Sequence, residues 1–160
     1  MRIIGFDPGL GVSGFGVLEK KGNAVRVICY GAIRTPRTKK LPERLKHLYD
    51  EATKLLKTYT PAVIAIEDTF YQKNVKSALA LGQARGALLL AGANAGIPCS
   101  EFAPRKVKQS VTGNGAATKE QVQFMVKATL KMDKLPEPID ASDALATALC
   151  HFQQFRLAEL

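Results

Sequence analysis

Two short apolar runs, each ending on a carboxylate, constrain this chain more than any other feature. "RIIGF" runs into Asp7, and "AVIAI" runs into Glu67. Short apolar runs bounded by turn-forming residues read as strands. Ile3 to Phe6 is a buried strand on this reading, cut off at Asp7-Pro8-Gly9. "AVIAIE", bounded by Pro61, has the continuous apolar character of a strand covered on both faces in a parallel arrangement. If the two strands are parallel neighbours, both carboxylates emerge at the same edge of one sheet.

The remaining elements fit around that pair. "GFGVLEK" and "AVRVICYGAI", separated by the turn "KKGN", continue the first strand as an antiparallel meander. "RTPRTKKLPE" is a basic, proline-broken loop. From Leu41 to about Lys57, apolar residues recur at helical spacing (Leu45, Leu48, Ala52, Leu55, Leu56). After Glu67 come a helix from about Val75 to Asn94 and a strand around "PCSEFA". A short helix starts at "RKVKQSV", and "TGNGAA" is a glycine-rich loop. "TKEQVQFMVKATLKM" is an amphipathic helix with Thr118 as N-cap. "DASDALATALCHFQQF" is the last helix. Antiparallel strands first, then alternation, predict an α/β fold: a mixed five-stranded sheet with helices on both faces. The 160 residues form a single domain (1–160), with no linker, internal repeat or low-complexity tract.

Charge narrows the partners. There are 23 Lys and Arg against 14 Asp and Glu, a net +9, and this excess points to a polyanion. Nucleic acid comes first, an acidic membrane surface second. No stretch provides the roughly 18 uninterrupted apolar residues of a membrane span. The chain opens on a strand, with no signal-peptide pattern, so a cytoplasmic protein is expected. Cys29, Cys99 and Cys150 are scattered and form no CxxC pair; they read as small buried hydrophobes in a reducing compartment. Two histidines, His47 and His151, are too few for a His-rich metal site.

Against the positive background, four carboxylates stand out. Asp7 and Glu67 end strands, while Asp140 and Asp143 open the last helix three residues apart and so share a face. Each has a plain alternative. Asp7 before Pro-Gly starts a turn; Asp140 is a natural N-cap, and Asp143 favours the helix dipole. Asp68 competes with Glu67 for the site position. Gathered together, such groups repel and push a pKa upward. A divalent cation removes that conflict, and an all-oxygen donor set suits Mg²⁺, with Mn²⁺ as the alternative. Two ions about 3.5–4 Å apart activate a water and stabilise a leaving oxygen of a phosphodiester.

"GFDPGLGVSGFGV", "IAIEDTFYQKNVKSALALGQARG", "VKQSVTGNGAATKEQVQ" and "DASDALATALCH" follow one another and span nearly the whole chain. Together they resemble the RuvC family of Holliday junction resolvases. "LGQARG" and "DASDALA" in this order are the specific signals. The resemblance implies a ribonuclease H-like fold and a metal-dependent endonuclease. It resolves four-way DNA junctions by paired, symmetric cuts in recombination and repair. It makes Asp7, Glu67, Asp140 and Asp143 the catalytic, metal-holding carboxylates, with Glu67 and not Asp68 in the motif position. It assigns Phe70 to stacking at the junction centre, worth about 1–3 kcal/mol per base. It places Lys119 at the scissile strand in catalysis and DNA binding, and implies that Lys108, Lys76 and Arg85 contact DNA. The small-residue helix from Ala78 to Gly92 becomes a homodimer interface, and a branch-migration helicase becomes a partner. One departure is visible: Leu10-Gly11 follows Pro8-Gly9 where the family often carries a polar or basic residue at the second position.

Other readings compete. "GLGVSG" satisfies the GxGxxG dinucleotide fingerprint, but the segment after it reads as a strand rather than a helix. Actin-like ATPases and sugar kinases open with a similar Asp-x-Gly loop but need a second such domain. The small nucleases that process ribosomal RNA precursors share the opening strand without the "LGQARG" block. A basic junction-binding module without activity is the non-enzymatic alternative.

Overall fold

The computed structural model describes residues 1–68 and 74–158, with side chains through residue 154. Its strands are β1 (Arg2–Asp7), β2 (Val12–Lys21), β3 (Ala24–Arg34), β4 (Val63–Glu67) and β5 (Cys99–Phe102). Its helices are α1 (Leu41–Tyr59), α2 (Val75–Asn94), α3 (Pro104–Thr112), α4 (Lys119–Thr129) and α5 (Ile139–Ala158). The five strands form one sheet in the order β3-β2-β1-β4-β5. β1–β2 and β2–β3 are antiparallel; β1–β4 and β4–β5 are parallel. The mixed sheet expected from the order of elements is therefore present.

Alternation along the strands divides the core in two. Ile4 and Phe6 of β1 and Ile64 and Ile66 of β4 join Leu48 of α1 and Leu88 of α2 on one face. Ile3 and Ala65 point the other way, against Leu145 of α5 and Val126 of α4. Period-2 patterning of β1 and β4 thus places Asp7 and Glu67 on the α5 face. Full burial of each large aliphatic side chain contributes about 1.5–3 kcal/mol. These central strands are therefore firm supports for what stands at their ends.

α5 lies against the sheet at unusually close range, because glycine removes the side chains that would hold it off. Gly5 of β1 is paired with Gly16 of β2, and Asp7 with Gly14. A methyl group on Gly5 would overlap the Ala144 carbonyl; one on Gly14 would overlap the Asp140 carbonyl. Opposite them, α5 presents buried Ala141, Ala144 and Ala148.

Three details differ from the sequence reading. α4 ends at Thr129, three residues short of the expected Met132. Lys131 adopts a left-handed φ of 53°, which cannot continue a helix. Asp140 is not an N-cap: α5 already includes Ile139, so Asp140 lies within the first turn. Cys99 is exposed and Cys29 half-buried, so only Cys150 is a buried hydrophobe; all three are free thiols. None of the described helices is long and apolar enough to cross a membrane.

Candidate active site

The parallel register pairs Phe6 with Ile66, so Asp7 and Glu67 occupy the next rung together. α5 crosses this end of the sheet and brings Asp140 and Asp143. α3 contributes Lys108 and α4 contributes Lys119. All six side chains line one cavity of about 380 Å³. Apart from the neighbouring pair Asp140 and Asp143, these residues are remote in sequence, and the topology brings them together.

Burial and like charge dominate the electrostatics. Desolvation, then the charges of Glu67 and Asp143, push Asp7 up to about 8. Desolvation and the Asp143 charge push Glu67 up to about 7, against the pull of Lys119 and Lys108. Asp143, nearly buried, is also raised by desolvation, although its bond to Lys119 opposes the shift. Lys119 Nζ donates to Asp143 Oδ2 at 2.9 Å. Burial alone would lower the Lys119 ammonium, but Asp143, Asp7 and Asp140 outweigh it and raise it. A cation is disfavoured in the first turn of a helix. Lys119 nonetheless opens α4, which Thr118 and Gln121 start with a reciprocal capping box. The carboxylates explain its placement.

The loop after Asp7 is fixed by hydrogen bonds. The Ser13 hydroxyl donates to the Gly9 carbonyl at 2.6 Å, and the Gly9 N–H donates back to Ser13 Oγ at 3.1 Å. The Thr35 N–H donates to the Gly11 carbonyl at 3.1 Å, and its hydroxyl donates to the Leu10 carbonyl. Arg44 donates to Thr35 Oγ1 at 3.1 Å and reaches the Leu10 carbonyl at 3.4 Å. Sequence reasoning missed Ser13, Thr35 and Arg44 as supports of the site. The only signal available was Ser13 inside "GVSG".

The donor chemistry fits a hard divalent cation. Four carboxylates share one cavity, none is joined there by histidine or thiolate, and burial with neighbouring negative charge raises two of them far above the usual carboxylate range. No three His, Cys, Asp or Glu side chains among the described residues are gathered tightly enough to hold an ion as they stand.

Other expected site residues lie elsewhere. Lys76 is exposed in the first turn of α2, and does not line the cavity. Arg85 is outside it too: its guanidinium pairs with Glu101 of β5 and lies 3.6 Å from Asp68. Phe70 lies outside the described residues. The GxGxxG segment spans the β1–β2 connection and runs into a strand, as its apolar alternation predicts.

Comparison with known proteins agrees with this architecture. The family model for the crossover junction endodeoxyribonuclease RuvC matches residues 3–151. The chain is 48% identical over 153 residues to the enzyme of that name from Desulforamulus reducens, covering 96% of this chain and 94% of the relative. It is 49% identical over 150 residues to that of Thermosipho melanesiensis, covering 94% and 96%. Thermus thermophilus RuvC superposes with a TM-score of 0.90 at 32% identity, covering 99% of this chain and 97% of that one. The same protein in complex with a Holliday junction substrate gives 0.93 at 33%, covering 99% and 96%. On sequence and structure together, the chain belongs to the crossover junction endodeoxyribonuclease RuvC family.

Proposed function

We propose that the six-residue cavity is where this chain hydrolyses a phosphodiester of a four-way DNA junction. As a member of its family the chain is a Holliday junction resolvase. The observation that carries the catalytic assignment is the convergence of Asp7, Glu67, Asp140 and Asp143 with Lys108 and Lys119 in one cavity.

Asp7, Glu67, Asp140 and Asp143 would hold Mg²⁺, with Mn²⁺ as a substitute and two ions per site as the working number. When bound, such ions polarise the phosphate and make an attacking water acidic. As ligands, Asp7 and Glu67 would be deprotonated, and the charge of the cation would offset the repulsion among the resulting carboxylates. Lys119, freed from Asp143, is positioned to donate to a phosphoryl oxygen as negative charge develops. Lys108, from the facing helix, orients the same strand through a phosphate.

Around the cavity, the positive excess attracts the DNA that carboxylates alone repel. Phe70 remains our candidate for stacking at the junction centre, and Lys76 for an outlying phosphate contact. Arg85, already held by two acids, acts on the fold of the site rather than on DNA.

A homodimer suits a two-fold substrate, because an isologous pair places one site on each of two opposed strands. Support comes from α2, where Val75, Leu79 and Leu90 are exposed apolar residues and Gly82 and Gly86 leave open space. The working setting is the cytoplasm, alongside a branch-migration helicase.

The test is cleavage of a synthetic immobile junction as Mg²⁺ is added, with both product strands mapped. Symmetric cuts that require the ion support the proposal. Binding without any cutting would leave a junction-binding module instead.

A further inference from the structure

One basic side chain stands beside the cavity without belonging to it. The register of β2 and β3 pairs Val12 with Arg34, and Gly14 with Ala32. Val12 lines the catalytic cavity, and Gly14 is the partner of Asp7 on β1. Residues directly opposite in an antiparallel pair share a face, with Cβ atoms about 4.5–5.5 Å apart. Arg34 therefore projects on the α5 face of the sheet, one side chain beyond the cavity wall.

Its position is fixed, yet its charge is free. Ile33 before it and Thr35 after it are both buried. Thr35 is tied to the carbonyls of Leu10 and Gly11, in the loop that follows Asp7. Arg34 itself is exposed at the end of edge strand β3. Among the described residues no acidic side chain forms an ion pair with it. Between Asp7 of β1 and Arg34 of β3 lies β2, which carries no side chain at Gly14, the partner of Asp7, and Val12, the partner of Arg34, at the cavity wall. Arg37, Lys39 and Lys40 follow it in the chain, with Lys39 3.9 Å from Glu43.

We infer that Arg34 is a phosphate-contacting residue of the substrate-binding face, gripping the cut strand beside the cavity from the β3 edge. A guanidinium suits this role, since it donates to two phosphate oxygens at once. The inference rests on the proposed junction-cutting reading and adds a binding residue to it. A charge whose only duty is to guard a sheet edge has no preferred phosphate.

The experiment compares wild type, Arg34→Ala and Arg34→Lys on one immobile junction. It measures affinity across a salt series and on junctions with single neutral methylphosphonates near the cut. Arg34→Ala should weaken binding about 5–30-fold and lower the salt slope by about 1. Arg34→Lys should recover most of the slope but less of the affinity. One methylphosphonate should weaken wild type and leave Arg34→Ala unaffected. An unchanged slope, or equal sensitivity to every methylphosphonate, overturns the role of Arg34 while junction cutting by wild type still stands. Failure of wild type to bind the junction at all overturns the underlying reading, and this inference with it.

Discussion

Lys119 Nζ lies 2.9 Å from Asp143 Oδ2, bridging the start of α4 to the N-terminal part of α5 inside the cavity. On the proposed mechanism the contact would give Lys119 two successive jobs: neutralising Asp143 before an ion binds, and serving the phosphate afterwards. Lys119→Ala should slow single-turnover cleavage about 10²-fold. Junction affinity should change far less. Removing the ammonium also withdraws the charge that lowers Asp7 and Glu67. The pH–rate profile should therefore move to higher pH. A loss of affinity equal to the loss of rate would make Lys119 a docking contact only.

The raised carboxyls link stability to pH. Asp7 stands at about 8 in the folded chain against 3.8 ordinarily, and Glu67 at about 7 against 4.5. Between about pH 4 and 8 the folded chain holds protons that the unfolded chain has released, so stability falls as pH rises. Thermal melts without divalent ions should show Tm dropping across that window. Asp7→Asn should flatten the slope and raise Tm at pH 8 by at least about 2–4 °C, the equivalent of ~1 kcal/mol. Millimolar Mg²⁺ should do the same for wild type. A Tm that climbs from pH 5 to 8 without metal would contradict the account.

Gly14 sets how closely α5 approaches. A methyl there would overlap the Asp140 carbonyl, so the first turn of α5 must move. Gly14→Ala should cost about 1–3 kcal/mol in denaturant unfolding. It should also reduce cleavage about 10²-fold, since small misplacements of ligands are costly. Gly11→Ala, with open space around it, should cost little in either measurement.

Arg85 ties the residue after Glu67 to β5 through Asp68 and Glu101. Arg85→Ala leaves two carboxylates facing each other beside the cavity. It should lower Tm and cleavage rate while leaving the salt slope of junction binding unchanged. Adding Asp68→Asn and Glu101→Gln should restore part of the Tm. A reduced salt slope in Arg85→Ala would make this arginine a DNA contact after all.

The strands that carry Asp7 and Glu67 were legible because a short apolar run ending in an acid is a local signal. Their parallel pairing entered only as a condition, and the register meets it. The position of Asp140 was not legible as a cap, because Asp before a helix is ambiguous until Ile139 is seen to be helical. α5 is buried nearly all round, so its periodicity could not say which face meets the sheet. The glycines of "GLGVSGFG" were read by their spacing as a phosphate-loop pattern to be weighed. Their physical task is different: Gly14 and Gly16 lie on one face of β2, under α5. Arg85 was assigned to DNA from its motif, because no local pattern tells that two acids, 17 residues before it and 16 after it, converge on its guanidinium. Arg34 carried no local signal for the same reason: its nearness to the cavity comes from strand register.

The most direct test of the shared carboxylate cavity pairs two assays on Asp7→Asn: junction affinity, and strand cutting in Mg²⁺. The account predicts affinity within a few-fold of wild type, since phosphate contacts supply most of it. It predicts cutting reduced by at least about 10³-fold, because a ligand to the ion is lost. Cutting at the wild-type rate would contradict the assignment of Asp7, and with it the proposed chemistry of the site.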